Sequence, residues 1–104
     1  MPVTTLGGHQ IHVNEEGFLT DPSEWDADLG TTLASQIGIE LTDAHWKAIT
    51  FLRQDFAVKG ETPTIRRVST AGGIPVKELF KLFPQKPAKK MAYIAGLPKP
   101  HGCV

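Results

Sequence analysis

Only one thiol occurs in the 104 residues, and it stands one place from the end, as Cys103 in Ala95-Gly96-Leu97-Pro98-Lys99-Pro100-His101-Gly102-Cys103-Val104. Two prolines and two glycines in these ten residues rule out a continuing helix, because proline lacks an amide donor and glycine has the widest backbone freedom. They predict an extended, mobile arm. A cysteine kept for packing sits in an apolar run; this one follows His101-Gly102 and is better explained by its reactivity. The thiolate is the reactive form, and positive charge favours it. Lys99 and His101 flank Cys103 on the arm, and Arg66 and Arg67 are candidates to add charge from the body. Gly102 gives the thiol its local freedom.

Other chemistry is thinly represented. Of the four histidines, His9 and His12 on one strand face opposite sides, and His45 stands beside Trp46 on a helix. No His, Asp and Glu set has metal-ligand spacing. No paired general acid and base and no glycine-rich phosphate loop stands out. We therefore expect no metal and no cofactor. A lone cysteine makes no internal disulfide, which agrees with a reducing compartment. The first residues, Met1-Pro2-Val3-Thr4-Thr5, lack the basic and apolar regions of a signal peptide, and no stretch reaches the roughly 20 apolar residues of a membrane span. The expected location is cytoplasmic, with no membrane partner.

Formal charge sums to zero but is polarised: residues 1 to 46 hold eight acids and no Lys or Arg, whereas residues 47 to 104 hold all eleven basic residues against three acids. The second half is where anions are attracted, unless folding intermixes the two.

The elements that must position the arm follow from periodicity. Val3-Thr4-Thr5-Leu6 and His9-Gln10-Ile11-His12-Val13, parted by Gly7-Gly8 and followed by Asn14-Glu15-Glu16-Gly17 and Phe18-Leu19, predict a three-stranded antiparallel meander. Such a sheet is too small to stand alone, so Leu6, Ile11, Val13 and Phe18 must lie on helices. Trp25, Leu29, Leu33 and Ile37 predict a helix over 24–37, stopped at Gly38. Thr42 caps a second, with Trp46, Ile49, Leu52 and Phe56 at helical spacing, ending at Lys59-Gly60-Glu61. Thr62-Pro63 opens a third, with Ile65, Val68 and Ala71 on one side, stopped by Gly72-Gly73. Val76, Leu79, Phe80 and Phe83 mark a fourth between Pro75 and Pro84. Ala88, Met91, Ala92 and Ala95 form a small-residue stripe on a fifth, from Pro87 to Ala95, suited to close packing. The predicted fold is α+β: a meander on an array of about five helices, a single domain over residues 1–96, and a flexible C-terminal arm over residues 97–104.

Gly96-Leu97-Pro98-Lys99-Pro100-His101-Gly102-Cys103-Val104, preceded by Leu82-Phe83-Pro84 and Pro87-Ala88-Lys89-Lys90, resembles the C-terminal signature of the DsrC/TusE family of sulfur-carrier proteins. Asp21-Pro22-Ser23-Glu24-Trp25, Leu41-Thr42-Asp43-Ala44-His45-Trp46 and Phe51-Leu52-Arg53 resemble further landmarks in the right order. The resemblance implies a cytoplasmic carrier that passes persulfide sulfur between larger enzymes on Cys103, without independent turnover. It also implies that Arg66 and Arg67 match basic positions near the docked arm. Members that serve dissimilatory sulfite reductase have a second cysteine eleven positions earlier, where this chain has Ala92. That departure favours the single-cysteine relay branch, which delivers sulfur for thiolation of the tRNA wobble uridine. The implied partners are a sulfur-donor relay complex and an acceptor, either a tRNA thiouridylase or a sulfite reductase-type complex. A single-cysteine paralogue in another sulfur pathway is the alternative.

Two other classes compete. Trp46 to Phe83 loosely reads as a helix-turn-helix regulator, with Arg66, Arg67, Lys77 and Lys81 set to meet DNA phosphates. Its residues for base edges are mostly Thr, Ser and Val, and the cysteine arm would have no part in it. A non-catalytic adaptor would use the arm without its sulfur.

Overall fold

The computed structural model describes residues 3–6, 9–14 and 16–98. Strands β1 (Val3–Leu6) and β2 (His9–His12) pair antiparallel, with Val3 opposite His12 and Leu6 opposite His9. The Gly7-Gly8 turn lies outside the described residues. The third strand of the expected meander is absent among them: Phe18-Leu19 contributes one isolated bridge, Val13 to Leu19. The reason is local. Asn14 Oδ1 accepts from the amides of both Glu16 and Phe18, at 2.9 and 3.0 Å, and this side-chain-stabilised turn offers the backbone an alternative to a ladder. The chain then turns again at Asp21, whose carboxylate accepts from the Ser23 amide and opens a short 3-10 turn over Pro22–Glu24.

The five helices are α1 (Ala27–Gln36), α2 (Asp43–Lys59), α3 (Ile65–Gly72), α4 (Val76–Leu82) and α5 (Pro87–Ile94). Expected boundaries shift where capping side chains decide them. Asp26 takes the Leu29 amide at 2.8 Å, so α1 begins after Trp25 and leaves that residue outside the helix. Thr64, not Thr62, caps α3 by accepting from the Arg67 amide. At the head of α2, the Thr42 amide donates to His45 Nδ1 at 3.0 Å. The other ring nitrogen of His45 therefore carries the proton and donates to the Leu82 carbonyl, 2.8 Å away. His45 is buried, and its ring meets Phe83 edge-on at 5.1 Å; it ties the start of α2 to the end of α4.

The core has two parts. Ile11, Val13, Leu19, Leu29 and Leu33 close the space between the hairpin and α1. Ile49, Leu52, Val68, Leu79, Phe83, Met91 and Leu97 anchor the larger cluster among α2 to α5. Trp25 and Tyr93 pack against both. The small-residue stripe of α5 is wholly inside, with Ala88, Met91, Ala92 and Ala95 all buried. The predicted face of α4 is only half so: Leu79 and Phe83 are buried, whereas Val76 and Phe80 are 40% and 47% exposed.

Candidate functional site: the root of the C-terminal arm

Helix α5 ends where the arm begins, and its end is unusually well held. Gly96 adopts φ +70°, the left-handed conformation that glycine enters without steric cost. The chain reverses there: the Gly96 amide donates to the Tyr93 carbonyl at 3.3 Å and the Leu97 amide to the Ala92 carbonyl at 3.0 Å, the paired bonds of a Schellman cap. The last turn of a helix leaves carbonyls without intrahelical partners. Here the Trp25 indole Nε1 donates to the Ile94 carbonyl at 2.7 Å, and Arg53 Nη1 donates to the Ala95 carbonyl at 2.7 Å. Met91, Ala92 and Tyr93 give their carbonyls to Ala95, Leu97 and Gly96. Every carbonyl from Met91 to Ala95 is thus bonded.

Trp25 and Arg53 also hold each other. The Arg53 guanidinium lies 4.3 Å from the Trp25 ring centre and reaches the Pro22 carbonyl through Nη2 at 3.0 Å. Partial burial draws its pKa below the ordinary value, yet an arginine stays charged, so a cation rests on the indole face. The indole takes its space from two glycines. A Cβ at Gly30, in the middle of α1, would stand 2.8 Å from Trp25 Cζ2, and one at Gly96 would run into Trp25 Cβ, Cγ and Cδ1. A glycine inside a helix costs about 1 kcal/mol against alanine, and at position 30 that cost is what admits the ring.

Beyond the cap, Leu97 is 1% exposed and belongs to the main core cluster. The carbonyl of Pro98 accepts from Thr62 Oγ1 at 2.7 Å, and Thr62 is itself buried. The expected division into a body of residues 1–96 and an arm of residues 97–104 therefore meets a packed Leu97 and a bonded Pro98 at its start. Lys99, His101, Gly102 and Cys103 lie outside the described residues.

Arg66 and Arg67, the two arginines expected to add charge near the thiol, have different surroundings. Arg67 grips Asp55 through Nε, at 3.1 and 3.0 Å to the two carboxylate oxygens, and through Nη2 at 2.8 Å. These bonds hold the Asp55 carboxyl below its usual range and raise Arg67 above its own. Arg67 and Asp55 line a hollow of about 160 Å³ together with Lys59, Glu61, Thr62, Pro63 and Thr64, so Arg67 shares a rim with the residue that holds Pro98. Arg66 is exposed, as are Lys77 and Lys81. No group of three or more His, Cys, Asp or Glu residues that could hold a metal occurs among the described residues, and no helix among them is long and apolar enough to cross a membrane.

Trp25, Arg53, Thr62 and Gly96 were present in the sequence reading only as a core position, a landmark, a helix start and an arm glycine. Their shared task joins residues 69, 42 and 36 positions apart, which no periodicity reveals.

Known proteins are similar to this chain in both architecture and sequence. Sulfurtransferase TusE of Pectobacterium atrosepticum is 38% identical over 104 residues, covering 93% of this chain and 95% of that protein. The solved structure of the oxidised gamma subunit of dissimilatory sulfite reductase (DsrC) from Archaeoglobus fulgidus superimposes with a TM-score of 0.81 at 39% identity, covering 99% of this chain and 100% of that one. The NMR structure of Allochromatium vinosum DsrC gives a TM-score of 0.83 at 37% identity, covering 98% and 97%. A family model described as DsrC like protein matches residues 5–104, a span that takes in β2, all five helices, the arm root and Cys103. On fold, on sequence and on the extent of the match, this chain belongs to the DsrC-like family.

Proposed function

We propose that the protein is a sulfur relay carrier that accepts and passes on persulfide sulfur at Cys103, working with a donor and an acceptor in the cytoplasm. The observation that carries this is a family match that runs through the lone thiol. The bonded Pro98, five residues before that thiol, supports it, since a relay needs a firm body and a reaching end. In the loading step the Cys103 thiolate attacks the outer sulfur of a donor persulfide, R–S–SH. The donor's S–S bond breaks, its electron pair leaves on R–S⁻, and a Cys103–S–SH persulfide forms with no net oxidation. The second step repeats this on the acceptor. Lys99, His101 and Arg66 are the cations proposed to favour the thiolate; Arg67 spends its charge largely on Asp55.

The acceptor we favour is the enzyme system that makes tRNA 2-thiouridine, because the relatives named Sulfurtransferase TusE match over nearly the whole chain and Ala92 stands where a second thiol would serve the dissimilatory pathway. The structural neighbours named for dissimilatory sulfite reductase make a single-thiol DsrC-like role the second reading. Intact mass spectrometry after incubation with a cysteine desulfurase and its relay proteins tests the proposal. Wild type should gain one sulfur, about 32 Da, and Cys103→Ser none. Equal labelling of the mutant would sink it. Release of that sulfur to a tRNA thiouridylase but not to a sulfite reductase complex would separate the two acceptors.

A further inference from the structure

We infer that Thr62 is a positioning residue for sulfur transfer: its hydroxyl sets the direction in which the cysteine-bearing segment leaves the body. This deepens the carrier reading and rests on it. Thr62 stands between α2 and α3, is 7% exposed, and donates from Oγ1 to the Pro98 carbonyl at 2.7 Å. A bond to that carbonyl fixes the plane of the peptide joining residues 98 and 99. The proline ring already locks φ at residue 98, so the hydroxyl supplies the remaining constraint, ψ. With both dihedrals held, the chain has a fixed heading at Pro98, the last described residue.

That heading matters because little chain follows. Cys103 is five residues past Pro98, and five residues span at most about 18 Å when fully extended. A change of heading at the root swings the thiol across a large part of that reach. Leu97 cannot replace the constraint: its burial fixes position, yet it leaves the peptide beyond Pro98 free to rotate. The threonine methyl packs in either case, and only the hydroxyl chooses the direction. Transfer between two proteins demands that the thiolate meet the donor sulfur within a narrow range of angle and distance. Reaction with a small dissolved donor does not.

The experiment compares wild type, Thr62→Val, which keeps the shape and loses the donor, and Thr62→Ser, which keeps the donor. Each is loaded from a protein-borne persulfide, on a cysteine desulfurase with its relay proteins, and separately from sodium polysulfide. Thr62→Val should load about fivefold more slowly from the protein donor, the size of one net hydrogen bond, and at the wild-type rate from polysulfide. Thr62→Ser should recover to within about twofold of wild type. Thr62→Ala repeats the comparison should the valine variant not fold. The assignment is overturned if the hydroxyl-lacking variant keeps pace with wild type on the protein donor, if it slows equally with both donors, or if serine does not rescue. Failure of wild type to load from either donor would instead overturn the carrier reading beneath it.

Discussion

Trp25 and Gly96 occupy complementary space: the indole of one fills the volume in which any Cβ at the other would lie, while its Nε1 bonds the Ile94 carbonyl two residues before that glycine. The ring and the helix cap are one unit. Gly96→Ala should therefore fail twice, by forcing a Cβ into φ +70° and by displacing the indole. A loss of at least about 2 kcal/mol is expected, read by urea unfolding, and a change under about 0.5 kcal/mol would contradict the geometry.

Removing the Arg53 side chain takes the Nη1 donor from the Ala95 carbonyl, leaves the Pro22 carbonyl with the Trp25 amide alone, and strips the cation from the Trp25 face. Arg53→Ala should cost about 2–3 kcal/mol. Arg53→Lys should recover only part, because an ammonium cannot send two planar donors to two carbonyls while lying on a ring. Equal stability of the lysine variant and wild type would show that charge alone is needed.

Asp55 gives a pH signature. Hydrogen bonds from Arg67 hold its carboxyl below the ordinary 3.8, against the opposing effect of burial. A carboxyl whose folded value lies below its unfolded value adds stability that is fully present above the unfolded value and is lost as pH falls through the folded one. Asp55→Asn should thus be less stable than wild type at neutral pH, and the gap should close as pH falls through and below the ordinary carboxylate range. Melting curves across that range check it; a gap that stays constant would mean that the pair contributes nothing through its charge.

Much of the helical layout was legible because it is written locally. Trp46, Ile49, Leu52 and Phe56 mark α2 by spacing, and Gly38, Gly60 and Gly73 stop three helices in the left-handed conformation. The third strand was not legible, since the pattern of Phe18-Leu19 fits a ladder and only the Asn14 side chain, capturing two amides, diverts it. Phe80 was read as core from its spacing to Val76 and Phe83; the narrow contact face of a seven-residue helix leaves it 47% exposed. The arm root stayed hidden for another reason. Its donors come from three distant segments and meet main-chain carbonyls, which are the same at every residue and leave no trace in the sequence.

Ala92 yields a prediction about oxidation. It is fully buried on α5, and its carbonyl takes the Leu97 amide. With Cys103 the only thiol, mild oxidant should give a reductant-sensitive dimer and no bridged monomer. Ala92→Cys adds one sulfur to a closed site, at a cost of about 1–2 kcal/mol. In this folded variant an internal disulfide should form if Cys103 comes within about 7 Å, Cα to Cα. Free-thiol titration and electrophoresis without reductant read the result, and two thiols persisting under oxidant would show that Cys103 does not come within bridging distance of position 92.

The arm root is assembled from contacts spanning 69, 42 and 36 residues, the kind that form after local helices because the intervening chain must first be gathered in. A partly folded molecule accordingly owns its thiol before it owns a direction for it. Under the carrier reading, a docking enzyme would meet that thiol on its proper heading only once these contacts have formed, so acceptance of enzyme-borne sulfur would double as a report that folding is complete.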